Sequence, residues 1–262
     1  MLRKLLKITL SFLANRAIRK HKIKIVVILG TTGSDIVKEM LYTVLKEKTA
    51  VRRNIDDIWW DLSVPINILG YKDVRRSAVK WMRLIISASI ALLKNKSNPH
   101  LLILNAETGN PTTVDYWSSF LHPAYLVVLN YKKDSLLIEK LITQTEMSGG
   151  KVIAPQNIEK ILSEMSEEYE DNLFIFGQED ADLTIIKNND GKLRIKYGKE
   201  QVVLPKKLWP AISPLITGAI FSVAVLEGLK LEDIAYACLK FTFPVAIISR
   251  IKANLKNTSI NV

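Results

Sequence analysis

From Lys24 onward the chain alternates short β-branched apolar runs with helical patterns, and this alternation constrains the fold more than any other feature. Ile25–Leu29, Leu101–Leu104, Tyr125–Asn130, Val152–Ala154 and Leu173–Phe176 read as buried strands. Asp35–Lys46, Thr113–Leu121, Ser135–Ser148 and Gln156–Tyr169 read as the helices that connect them. Such a chain builds βαβ units, and therefore a mostly parallel sheet flanked by helices on both faces. The pattern then changes. Asp182–Ile186, Leu193–Tyr197 and Gln201–Leu204 are separated by Asn-Asn-Asp-Gly and Gly-Lys-Glu, which are hairpin turn signals, so a small antiparallel meander is predicted to follow. Leu215–Glu227 and Leu231–Lys240 return to helix, with Gly228 between them. The reading is an α/β domain over residues 23–262, preceded by a basic amphipathic helix over residues 1–22.

Charge is distributed unevenly. The formal net charge is +11, and the first acidic residue, Asp35, comes after Arg3, Lys4, Lys7, Arg16, Arg19, Lys20, Lys22 and Lys24. With 100° per residue, Arg3, Lys4, Lys7, Ser11 and Asn15 share a narrow polar arc, while Leu5, Leu6, Ile8, Leu10, Phe12 and Leu13 cover a broad apolar one. Lys7 interrupts the run and Arg16 closes it, leaving too few apolar residues to cross a bilayer. Two readings stand for this helix: contact with an anionic membrane surface, or packing on its own domain. Under the first, Met1–Lys20 governs location and its removal leaves a folded domain. Ala78–Lys94 is a second long apolar helix, read as buried because Arg83 and its length argue against a span.

The lone cysteine, Cys238, sits in an apolar helical run, which excludes a disulfide framework and fits a reducing, cytoplasmic compartment. His21, His100 and His122 have no acid or cysteine at metal-ligand spacing, so no metal site is expected. Positive charge alone would admit nucleic acid as a partner, but no nucleic-acid-binding motif accompanies it.

The candidate site is the turn Gly30-Thr31-Thr32-Gly33-Ser34-Asp35, which joins the strand Ile25–Leu29 directly to a helix. A glycine-rich turn at that place holds phosphate with backbone N–H groups and the helix dipole. A working phosphate loop also places a lysine on the β/γ-phosphates and a Ser/Thr hydroxyl on magnesium. Here Ser34 stands where the cation belongs and Asp35 where the hydroxyl belongs, which aims negative charge at the anion's place. The simplest role for Asp35 is then a helix cap.

The segment Gly30-Thr31-Thr32-Gly33-Ser34-Asp35-Ile36-Val37-Lys38-Glu39-Met40 resembles the loop Gly-Thr-Asn-Gly-Lys-Thr-Thr-Thr-Lys-Glu-Met of the Mur ligases, the ATP-dependent enzymes that add amino acids to the peptidoglycan precursor. The likeness is strongest to the D-alanyl-D-alanine-adding member. Trp59-Trp60-Asp61-Leu62-Ser63-Val64-Pro65 is similar to the family's Asn-Asn-Glu-Ile-Gly-Val-Pro. Leu104-Asn105-Ala106-Glu107 through Pro111, and His122-Pro123-Ala124 through Asn130, are similar to its next two strand-and-loop segments. The resemblance runs from Lys22 to Arg250 and implies the family's central ATP-binding fold.

The departures fall on chemistry. The resemblance implies a magnesium-holding glutamate at Asn105 and polar active-site residues at Trp59, Trp60 and Asp61, which makes these four the former metal and substrate positions. The family's Gly-Pro-x-His loop is replaced by Tyr131-Lys132-Lys133-Asp134, and its His-Asn signature is absent from Ile212–Thr217. Lys38 matches a lysine that the family already carries, so it is no relocated catalytic cation. The resemblance also implies flanking domains for the UDP-sugar and the amino acid, which another chain would have to supply. The expectation is a Mur-ligase-like protein of the cell-wall pathway with no catalytic residue and no bound ATP or magnesium. It would act as a partner subunit or self-associate through Trp59 and Trp60, and lie at the inner face of the membrane. The alternative is an ATP-dependent acid–amino acid ligase with an altered site or a helper subunit.

Overall fold

The computed structural model describes residues 2–30, 33–54, 61–71, 77–93, 99–106, 110–130, 136–158, 172–178, 180–205 and 213–242. Thr31, Thr32, Trp59 and Trp60 lie outside the described residues, as does most of the helix expected over Gln156–Tyr169. The strands are β1 Lys24–Leu29, β2 Val51–Arg53, β3 Leu101–Asn105, β4 Tyr125–Val128, β5 Lys151–Pro155, β6 Leu173–Gly177, β7 Leu183–Lys187, β8 Leu193–Tyr197 and β9 Glu200–Leu204. They form one sheet in the order β2-β3-β1-β4-β5-β6-β7-β8-β9. Pairing is parallel from β2 through β7 and antiparallel only at β7–β8 and β8–β9. The meander is thus the continuation of the main sheet, with β7 belonging to both parts.

The helices are α1 Leu2–His21, α2 Ser34–Leu45, α3 Ser63–Leu69, α4 Ala78–Leu93, α5 Pro111–Ser118, α6 Leu136–Met147, α7 Pro214–Leu226 and α8 Leu231–Leu239. Side chains in a strand point alternately to its two faces, and β1 divides the core accordingly. Val26 and Ile28 enter one apolar cluster with α2, α7 and α8. Ile25, Val27 and Leu29 enter another with α1, α3, α5 and α6. Every residue of β1 except Lys24 is buried, as a central parallel strand requires.

Of the two readings left open for α1 the structure bears out packing on its own domain, while α4 departs from expectation. α1 packs on its own domain through Leu10, Leu13, Ala14 and Ala17, so these residues belong to the core and α1 cannot be removed without opening it. The broad apolar arc of α1 is split, because Leu5, Ile8 and Phe12 point outward. α4 was expected to be buried, yet only Leu84, Ala88 and Leu92 are, and a stripe of apolar residues faces outward. Lys20 Nζ donates to the Leu92 carbonyl at 2.5 Å and ties the C-terminal ends of the two helices together.

Candidate functional site

Strand order reverses at β1: the chain leaves it toward β2 and β3 on one side and reaches β4 on the other. Ligands of doubly wound sheets sit in the crevice beyond the carboxyl ends of strands at such a point. The carboxyl ends of β1, β2 and β3 bring Gly30, Asn54 and Asn105 to that crevice, beside the N-terminus of α2. A Cβ at Gly30 would lie 2.9 Å from the Leu129 Cβ, so the loop passes too close to the chain after β4 for any side chain. Gly33 is left-handed, with φ of 84°, a conformation that other residues adopt at a cost.

Gly33 is the N-cap of α2, with no side-chain cap hydrogen bond. Asp35 is therefore not the cap that the sequence suggested; it stands in the first helical turn, where the dipole favours an anion. The Asn105 Nδ2–H donates to Asp35 Oδ1 at 2.9 Å, and Lys38 Nζ lies 3.4 Å from the same oxygen. The Asn105 backbone N–H in turn donates to Asn54 Oδ1 at 2.9 Å. Asn54 and Lys38 are buried, with 1% and 5% of their surface exposed.

Lys38 Nζ also lies 3.8 Å from Glu39 Oε1, to which Arg53 Nε donates at 2.8 Å. The Arg53 guanidinium is 3.9 Å from the centre of the Tyr42 ring. Two carboxylates and two cations thus compensate one another at the mouth of the crevice. Burying a charge is costly unless it is paired, and this arrangement pairs each of the four. Sequence reasoning set Lys38 aside and did not single out Glu39, Arg53 or Asn54. The i, i+3 and i, i+4 spacing of Asp35, Lys38 and Glu39 on one helix was the available signal. Asn54 gave none, since its partner is 51 residues away.

Asp61 belongs to a different cluster. Its side chain is 3% exposed, and Arg3 Nη2 donates to both carboxylate oxygens at 3.0 and 3.1 Å while Lys7 Nζ lies 2.7 Å from Oδ2. The Trp117 indole N–H donates to the Asp61 carbonyl at 2.8 Å, and the Tyr116 hydroxyl donates to the Lys7 carbonyl at 2.8 Å. Burial pushes the Asp61 carboxyl up, but hydrogen bonds from Lys7 and Arg3, together with their charges, outweigh it and hold the group below the usual carboxylate range. Asp61 is engaged by this chain's own α1, so its carboxylate is no part of a surface open to another chain. The structure does not bring it together with Asp35 or Asn105 through any hydrogen bond of its own among the described residues.

No family model matches the chain, and no curated protein matches it. Solved structures do. The crystal structure of MurF from Acinetobacter baumannii superposes with a TM-score of 0.64 at 16% identity, covering 91% of this chain and 51% of that one. MurF ligase from Thermotoga maritima in complex with ADP gives a TM-score of 0.58 at 16% identity, covering 91% of this chain and 53% of that one. The UDP-N-acetylmuramate:L-alanyl-gamma-D-glutamyl-meso-diaminopimelate ligase from Neisseria meningitides gives 0.56 at 12% identity, covering 90% of this chain and 70% of that one. The chain spans about half the length of the MurF structures it matches, and it has the Mur ligase-like fold.

Proposed function

We propose that the chain is a cytoplasmic Mur-ligase-like binding protein that has given up ATP-dependent ligation and works with a protein partner of the cell-wall pathway. The observation that carries this reading is the contact between Asp35 and Asn105. At the place where the fold's relatives need a cation, a hydroxyl and a metal-binding carboxylate, Ser34 supplies no charge and Asn105 turns an amide N–H toward a carboxylate. Lys38, the nearest described cation, is buried and already shared between Asp35 and Glu39. Among the described residues of the loop and the start of α2, an arriving triphosphate would face the Asp35 carboxylate, with Lys38 already paired. This donor set does not fit a magnesium nucleotide, and no catalytic step is assigned to it.

Calorimetric titration of magnesium-ATP into the purified protein tests the reading. The expected result is no saturable heat and no phosphate release. Tight, magnesium-dependent binding that is lost in Gly33→Val would overturn it. One observation favours a second reading: a carboxylate still stands beside β3, on Asp35 in place of residue 105. Under that reading Asp35 takes the metal and another chain completes an acid–amino acid ligase. Asp35→Asn would then abolish magnesium-dependent binding, whereas the first reading expects Asp35→Asn to leave the titration flat.

A further inference from the structure

We propose that the outward faces of α1 and α4 form one basic-rimmed apolar platform by which the protein rests on an anionic lipid bilayer. Eight of the fourteen large hydrophobics left exposed among the described residues lie on these two helices. On α1 they are Leu5, Ile8 and Phe12; on α4 they are Val79, Met82, Ile86, Ile90 and Leu93. The spacings of three and four residues put each set on one side of its helix. The opposite sides are the ones committed to the core, through Leu10, Leu13, Ala14 and Ala17 on α1 and through Leu84, Ala88 and Leu92 on α4. The two helices lie side by side, joined by the cluster of Leu10 and Leu84 toward one end and by the Lys20–Leu92 hydrogen bond at the other. Both exposed stripes therefore lie on the outside of the same helical layer. A monomer rarely leaves so much contiguous apolar surface to water.

Charge identifies the occupant. Neither helix contains an aspartate or a glutamate, while Lys4, Arg16, Arg19, Lys80 and Arg83 are exposed on them. A second copy of this chain would set one cationic rim against another with no acid on either helix to compensate, because a two-fold contact uses the same patch on both sides. An anionic bilayer offers what both features need, negative headgroups for the rim and an apolar layer beneath them for the stripes. Beside Phe12, an open groove of about 280 Å³ is lined by Asn15, Arg16, Arg19 and Lys20 and continues the apolar stripe of α1 up to its basic rim. No helix among the described residues is long and apolar enough to cross a membrane, so the association is interfacial. The inference goes beyond the phosphate-loop reading and stands whether or not nucleotide binds.

Because α1 is part of the core, point variants test this and a truncation does not. The full chain is sedimented with vesicles of phosphatidylglycerol and phosphatidylcholine, and with vesicles of phosphatidylcholine alone. Partitioning into the anionic vesicles should be at least tenfold greater, and should fall at least fivefold in Ile86→Gln/Ile90→Gln and, separately, in Arg16→Gln/Arg19→Gln. All four side chains are exposed, so thermal midpoints should match the unmodified protein. Equal partitioning into the two kinds of vesicle overturns the proposal, as does an Ile86→Gln/Ile90→Gln variant that folds and still partitions fully. Sedimentation velocity supplies the remaining arm: a concentration-dependent dimer that the same variant abolishes, without vesicle binding by the unmodified chain, would assign the face to a second copy instead.

Discussion

Trp117→Ala is expected to lower the unfolding free energy by about 4 kcal/mol, within the range of large-to-small changes at buried aromatic sites. Trp117 is fully buried on α5 and heads the largest side chains of the core. It packs in the cluster that joins the sheet to α1, α3, α5 and α6. Its indole N–H reaches the Asp61 carbonyl, just ahead of α3, so the side chain fills volume and also satisfies a backbone acceptor. Truncation leaves a cavity and an unpaired carbonyl together. Trp117→Phe separates these contributions, since it keeps most of the volume and loses about 1–2 kcal/mol for the orphaned acceptor. Urea unfolding followed by far-ultraviolet circular dichroism measures both. A loss below about 1 kcal/mol for the alanine variant would mean that the junction repacks freely.

The same junction shows what the sequence reveals about this fold. The strands and most helices of the main sheet were legible because they are buried on both faces or show the simple helical period, and β1, buried without a break from Ile25 to Leu29, is the clearest case. β2 was missed: Val51–Arg53 is a three-residue edge strand, half-buried throughout, with no apolar run to mark it. α3 was not read as a helix, its segment entering only through a family likeness, since seven residues containing Pro65 and Asn67 carry little helical signal. α1 and α4 were legible as helices, but burial was left open for the first and misjudged for the second. Each has apolar residues on two opposite sides, and periodicity cannot tell which stripe meets the core until the neighbouring helix is known. The loop after β1 was legible in full as a place. Its chemistry was not, because the pairing of Asp35 with Asn105 spans 70 residues and depends on strand order.

Stability is expected to fall on acidification in a way that Asp61→Asn removes. The Asp61 carboxyl titrates below its ordinary value in the folded chain, because Lys7 and Arg3 outweigh the effect of burial. As pH falls, the unfolded chain takes up this proton first. The contribution of Asp61 is thus fully present above about pH 4, the unfolded value, and is lost as pH falls further through the folded value. At neutral pH, Asp61→Asn should cost about 2 kcal/mol, the scale of hydrogen bonds to a charged group, and no more, because Arg3 is largely exposed and can return to water. As pH falls below about 4 the two proteins should converge, which urea midpoints at fixed pH would record. A constant difference over that range would show that the amide loses packing or geometry and not charge. The same variant should release the start of α1: amide exchange should quicken from Leu5 to Leu10 while β1 stays protected. Arg3 and Lys7 hold that end of α1 to Asp61, whereas β1 is held by β3 and β4. Faster exchange in both elements at once would instead mean that Asp61 supports the whole sheet, and that α1 cannot loosen without the domain.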